Sequence, residues 1–309
     1  MAKSSSPLSF LWQALHLPSK NPKLFSNVFL IYILSHGLLY IGVLLSIVPL
    51  TSKLAELAKL MPTIDPSSPE FTELVNSIMA VTKQILISEM IYFVFLAVIS
   101  CSLSIITYYG NSATYLGEVL TLKEVLNKVK GIIKGPIITY LFVVLFGFVF
   151  IISFAVISVA ITWFFHSNSN TSSLLLLNLP LILLATLLLL YLSVIWSMGV
   201  AISVIEPNLY GIGAISHAAK LLKGKKKQIF LLILALIIIS GIIQAGYTIV
   251  TMFTSGSKIG SWVLGLVYQL LLQAMNFYTT MAITVLYYEC KQSNGDEIEY
   301  TKLATTSIV

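Results

Sequence analysis

Gly265, Gln269, Gln273, Asn276 and Thr280 follow one another at intervals of four, four, three and four residues in an otherwise apolar stretch. On a helix that spacing puts them on one line, so amides and a hydroxyl run through a segment that must otherwise meet hydrocarbon. The apolar stretch 228–257 has a matching line in Ser240, Gln244, Tyr247 and Thr251, and the stretch at about 90–109 has Ser100, Ser104 and Thr107. Such groups have two uses. They can hydrogen-bond between helices, at about 0.6–2 kcal/mol per contact, or they can line a polar cavity for a small neutral solute or a lipid headgroup. His36, near the middle of another apolar run, is the one deeply placed group with an ordinary pKa near neutrality.

The missing residue types narrow the chemistry further. Pumps and proton-coupled carriers use Asp, Glu or Arg at mid-membrane, and no such residue lies deep in a span. Glu89, at the outer boundary of span two, reads as an interfacial charge. Gly-x-Ser-x-Gly, His-Glu-x-x-His and paired intramembrane aspartates are absent, so no catalytic residue, cofactor or enzymatic activity is expected. His16, His36, His166 and His217 share no ligand spacing, which argues against a metal. Cys101 and Cys290 make no disulfide framework, although Cys290, placed just beyond the last span, could take a palmitoyl group.

The elements that hold these residues follow from composition. With 57% hydrophobic and 10% charged residues, the chain is far from soluble usage, where about a quarter of residues are charged. A span needs roughly 20 apolar residues. Six such segments are present: 24–52, about 90–109, about 137–164, about 180–204, 228–257 and 259–288. The fold class expected is all-α, a polytopic membrane protein of six transmembrane helices. Pro180 reads as the start of the fourth span, and Asn170-Thr171-Ser172 is a glycosylation sequon in a loop too short for use.

All 18 basic residues are lysines, which removes the bidentate arginine clamps that nucleic acid or phosphate recognition favours. The net charge of +6 is therefore read as a bilayer signal. With both termini inside, fourteen lysines fall on the cytosolic side and four, Lys53, Lys59, Lys83 and Lys258, on the outer side, in the positive-inside sense. Most of the fourteen sit in three segments preceding spans one, three and five: residues 1–23, 111–135 and 206–227.

Each segment reads as a surface helix. One side carries Leu8, Leu11 and Leu15 in the first, Val119, Leu122, Leu126, Val129 and Ile133 in the second, and Ile212, Ile215, Ala219 and Leu222 in the third. These sides should enter the headgroup boundary while Lys130, Lys134, Lys220, Lys223, Lys225, Lys226 and Lys227 engage anionic lipid or a protein partner. Aligning Lys20, Lys134 and Lys223 suggests a pseudo-threefold repeat of one surface helix and two spans, 24–110, 136–205 and 228–288 holding the span pairs. The outer loop, 51–85, is expected to hold a helix over 52–61 and another entering span two, capped by Ser67-Ser68-Pro69-Glu70. Residues 289–309 read as a polar tail. Glu206, ahead of Pro207, should start the third surface helix and meet Lys223 or Lys134, or else a cationic lipid headgroup.

Where Val204-Ile-Glu-Pro leads into Gly213-Ala-Ile-Ser-His-Ala-Ala-Lys-Leu-Leu-Lys-Gly-Lys, and where Tyr287-Tyr-Glu-Cys-Lys follows, the chain resembles a family of plant multi-span proteins. Some of its members are labelled as binding partners of a poly(A)-binding protein. More distantly, the chain is similar to the membrane domain that accompanies certain bacterial glycerophosphodiester phosphodiesterases. The resemblance implies the membrane scaffold; the phosphodiesterase catalytic domain has no counterpart here. A non-enzymatic membrane scaffold is the expectation, with a passive transporter or channel using spans five and six as the alternative.

Overall fold

The computed structural model describes residues 8–166, 171–206, 208–254 and 258–293. Among them are nine α-helices, a short 3-10 turn at Met61–Thr63 and no strand. Six helices are long and apolar enough to cross a bilayer: α2 (Pro22–Leu60), α3 (Pro69–Tyr115), α5 (Lys134–His166), α6 (Thr171–Ile205), α8 (Lys226–Thr254) and α9 (Lys258–Ser293). Such a set belongs to an integral multi-pass membrane protein. Three shorter helices precede α2, α5 and α8: α1 (Ser9–Lys20), α4 (Leu122–Ile132) and α7 (Ile212–Leu222).

Local chemistry sets the boundaries. Asn21 ends α1, and its side chain accepts from Leu24 N–H at 3.4 Å while donating to the Leu120 carbonyl at 2.9 Å. Gly117, at φ +88°, closes α3: its N–H reaches the Thr114 carbonyl and that of Glu118 reaches Ala113. These paired bonds are the helix-ending motif that glycine permits. Thr121 starts α4 through a reciprocal cap in which Glu124 N–H meets Thr121 Oγ1 and Glu124 Oε2 accepts from Thr121 N–H at 2.7 Å. Those bonds hold the Glu124 carboxyl below its usual range.

Three expectations need correction. Pro180 lies inside α6, which begins at Thr171; one missing backbone donor does not stop a helix whose other bonds are intact. Residues 52–60 continue α2 as one helix through Pro49, so they form no separate element. The cap of α3 is Ser68, whose Oγ accepts from Phe71 N–H at 3.2 Å, whereas Ser67 bonds Asp65. The sequon's Asn170, residues 1–7, Pro207, the turn at 255–257 and the tail from 294 lie outside the described residues.

The chain divides into two compact units. Unit 1 comprises Met1–Asn27, Ser104–Ile239 and Asn276–Val309, and therefore the three short helices with α5 and α6. Its core is close-packed. Phe10, Ala14 and Leu17 of α1, Val125 and Val129 of α4, and Ala214, Ala218, Leu221 and Leu222 of α7 are buried. A Cβ on Gly199 would lie 3.2 Å from the Ile215 Cα, so the bare glycine lets α7 approach α6. In α9, Thr280 to Tyr288 are buried without a break. Unit 2 comprises Val28–Leu103 and Ser240–Met275. Its buried residues come singly at about one-turn intervals, as in Val28, Tyr32 and His36, so each helix hides one face.

Candidate functional site

Unit 1 collects polar side chains around the last turns of α9. Glu206 Oε1, just past α6, accepts from Tyr287 Oη at 2.5 Å and from Lys291 Nζ at 2.9 Å. Tyr287 is fully buried, and the Lys291 ammonium lies 5.8 Å from its ring centroid. Burial would raise the Glu206 pKa, but the hydrogen bonds from Tyr287 and Lys291, with the Lys291 and His217 charges, outweigh it and hold the carboxyl below its usual range. Thus Val204-Ile-Glu-Pro and Tyr287-Tyr-Glu-Cys-Lys, distant in sequence, meet through one carboxylate oxygen. The cation at Glu206 is Lys291, not Lys223 or Lys134, because α9 continues to Ser293 and brings its last turn alongside.

Around this pair the network extends. Ser112 Oγ and Tyr288 Oη are 2.6 Å apart, and Tyr288 stacks on Tyr115 with centroids 4.5 Å apart. Glu289 Oε2 accepts from Gln228 Nε2 at 2.9 Å, and Glu289 Oε1 accepts from Ser9 Oγ at 3.5 Å. Asn111 Nδ2 points to Thr280 Oγ1 and Thr284 Oγ1, each at 3.5 Å. Asn111 Oδ1, Thr114 Oγ1 and Gln228 Oε1 are buried without a hydrogen-bond partner among the described residues. Each such atom costs about 1–3 kcal/mol unless water reaches it. Cys290 is fully buried, so its thiol is not presented for acylation.

The lysines of the short helices point away from this core. Lys130, Lys134, Lys220, Lys223, Lys226 and Lys227 are exposed and Lys225 is half-buried. Among the described residues the only ion pairs are Lys291–Glu206 and Lys128–Glu118, the latter at 3.6 Å. On α1 the apolar side left open is Leu8, Trp12 and Leu15, with Phe10, Ala14 and Leu17 turned inward. Apolar residues thus occupy both sides of that helix. On α7 the inward side is Ala214, Ala218, Leu221 and Leu222, which leaves Ile212 and Ala219 of the anticipated bilayer side outside and takes Leu222 from it.

The amide line of span six is split. Thr280 belongs to unit 1 and its Asn111 contact; Asn276 is exposed there. In unit 2, Gln273 is buried and Gln269 lines a cavity of about 330 Å³. Gln244 accepts from Tyr268 Oη at 2.8 Å and donates to Thr248 at 3.4 Å, so its partners include a span-six residue outside the anticipated line. Gly265 lies under Tyr40, whose hydroxyl donates to the Trp262 carbonyl at 3.3 Å.

The cavity is a groove bounded by α2, α3 and α9, with His36, Tyr40, Glu89, Tyr92 and Gln269 as its polar lining. His36 is buried, and its Nδ1 is 3.1 Å from the Tyr32 carbonyl. A carbonyl only accepts, so Nδ1 donates and Nε2 is left to the groove side of the ring's chemistry. Ser46 Oγ donates to Tyr92 Oη at 3.0 Å. Among the described residues no group of three or more His, Cys, Asp or Glu side chains is placed to hold a metal ion.

A model of the family described as a domain of unknown function (DUF8558) matches residues 8–306, and the chain belongs to that family. No curated protein and no solved structure matches it. These comparisons add nothing to the plant multi-span or phosphodiesterase membrane-domain resemblances.

Proposed function

We propose that this member of the DUF8558 family is a non-catalytic membrane scaffold that gathers anionic lipid, or a partner protein, on a lysine surface held in register by unit 1. The observation that carries the reading is the contrast on α4 and α7: Val125, Val129, Ala214, Ala218, Leu221 and Leu222 are turned into protein, while Lys130, Lys220 and Lys223 are exposed, beside the open Leu126 and Ile212, and outside ion-pair distance of any described carboxylate. A bilayer surface of anionic headgroups satisfies such ammonium groups, at about 1 kcal/mol for each one near the surface. The open apolar side of α1, with Trp12 among leucines, suits the headgroup boundary.

In this reading α1, α4 and α7 are interfacial helices, the termini are cytosolic, and the membrane is plasma membrane or endomembrane. The chain repeats one short helix and two spans three times. Burial supports a register one residue away from the lysine alignment: Phe10, Val125 and Ala214 correspond, as do Ala14, Val129 and Ala218, then Leu24, Thr139 and Gln228. Each unit of the repeat then closes on a glutamate, Glu118, Glu206 or Glu289.

The test is lipid capture by the full chain. After extraction into dodecyl maltoside and addition of mixed lipids, native mass spectrometry is expected to find phosphatidylserine or phosphatidylinositol retained over phosphatidylcholine, and the Lys225→Gln, Lys226→Gln, Lys227→Gln triple variant to lose several-fold of that preference. Equal retention by wild type and variant would remove the lysine-surface reading. A passive route along spans five and six is the alternative, favoured only by the groove at Gln269; solute flux into proteoliposomes that is abolished by Gln269→Leu would move it ahead.

A further inference from the structure

The groove of unit 2 is chemically one-sided. Its charged lining group is a carboxylate, Glu89, with no lysine beside it, and Glu89 makes no ion pair among the described residues. The other polar lining groups are the Tyr40 and Tyr92 hydroxyls, the Gln269 amide, and the His36 imidazole, whose Nδ1 is engaged by the Tyr32 carbonyl. Between these groups the walls are hydrocarbon, with Leu39, Val43 and Ile47 on α2 and Leu96 on α3.

Position along the helices gives the groove a direction. From His36 to Ile47 the helix rises roughly 16 Å, about half the thickness of a hydrocarbon core. Glu89 and Ile47 are both near the outer ends of the apolar runs, while His36 and Gln269 lie deep in theirs. An ammonium group at the outer mouth would meet a carboxylate and the faces of tyrosine and phenylalanine rings, the combination that recognises alkylated ammonium ions. A tail attached to it would run inward along Leu39, Val43 and Leu96. The volume of about 330 Å³ is at the lower end for ligand sites, enough for one chain rather than two.

We propose that this groove binds a single-tailed amphiphile with a cationic ammonium head, the head at Glu89 and the tail along α2 and α3. Two glycines shape the site. A Cβ on Gly42 would lie 2.6 Å from Tyr92 Oη, and one on Gly265 would collide with Tyr40. The bare backbone at both positions makes room for the hydroxyl ends of the two tyrosines that line the groove. The site shares no residue with the lysine surface, so it stands or falls separately from the function proposed above.

The experiment uses the full chain in dodecyl maltoside, titrated with dodecyltrimethylammonium and, separately, with dodecyl sulfate, the bound adducts being counted by native mass spectrometry. Wild type is expected to retain the ammonium ligand at least tenfold better than the sulfate. Glu89→Gln, a near-isosteric change at an exposed position, is expected to weaken ammonium binding about tenfold, the size of one charge-assisted contact. Val43→Trp should remove binding of both ligands by filling the tail track. The Lys225→Gln, Lys226→Gln, Lys227→Gln variant should bind the ammonium ligand as wild type does. Equal retention of ammonium and sulfate by wild type, or an unchanged ammonium affinity in Glu89→Gln, overturns the proposal. Should Val43→Trp fail to fold, the Glu89→Gln result decides alone.

Discussion

The end of α9 and the middle of α2 are both apolar helix, yet they are used in opposite ways. From Thr280 to Tyr288, in unit 1, every residue is buried, and the hydroxyls among them have partners on α3 and beside α6. In unit 2, Val28, Tyr32 and His36 are buried one turn apart and no residue from Gly37 to Val48 is buried, while Leu34, Leu38, Ile41 and Leu45 form an open stripe with exposures of 47–70%. Enclosure on all sides demands side chains that fit their neighbours and polar groups that are paired. One-sided burial asks only for a hydrocarbon solvent on the other side. The comparison locates where this chain is specified residue by residue, in unit 1, and where hydrophobicity alone suffices.

Substitutions can break that contrast. Leu222→Ala, at a fully buried position in unit 1, is expected to cost about 3 kcal/mol by cavity formation, while Leu45→Ala, 70% exposed in unit 2, should cost less than about 0.5 kcal/mol. Thermal unfolding in detergent micelles reads both, and equal losses would erase the distinction. Glu206→Ala is expected to cost about 2 kcal/mol, because a partly enclosed ammonium and a buried tyrosine lose one acceptor. The double variant with Lys291→Ala should cost less than the two single losses added together.

The same carboxylate sharpens the comparison through pH. Its pKa is lower folded than unfolded, so its contribution is complete above the ordinary carboxyl range, about 4.3, and is lost as pH falls through the folded value. The stability gap between wild type and Glu206→Gln should be flat from pH 8 to 6 and shrink below about 4.3, measured by unfolding midpoints across that range. Gly117→Ala, at φ +88°, should cost about 1 kcal/mol by straining the end of α3. Among the charge changes the smallest is Glu118→Ala, which should cost less than about 1 kcal/mol, since the pair with Lys128 is solvent-screened, its side chains being 35% and 41% exposed.

How much of this was readable beforehand depends on the range of the physics. Six spans were legible because hydrocarbon solvation depends on composition over some twenty residues, and Thr121-x-x-Glu124 spells the cap of α4 in plain local pattern. Helical spacing also put Gln269, Gln273, Asn276 and Thr280 on one line. Spacing cannot say what stands opposite, and so the line divided: Thr280 faces Asn111, while Gln269 faces a groove. Glu289 and Lys291 were read as the start of a tail because charge follows apolar sequence there; the α9 backbone instead continues to Ser293 and carries them to Gln228 and Glu206. Glu89, read as a boundary charge, lines the groove with His36, a juxtaposition of α2 and α3 that no local pattern encodes.

The unbroken enclosure of Thr280 to Tyr288 has a consequence for biogenesis. α9 is the last of the nine described helices to leave the ribosome, and until it arrives Glu206 lacks both Tyr287 and Lys291, and Ser112 lacks Tyr288. Until then these contacts of unit 1 are unmade. A chain truncated before Met281 would keep five of the six long helices and leave Glu206 and Ser112 without these partners.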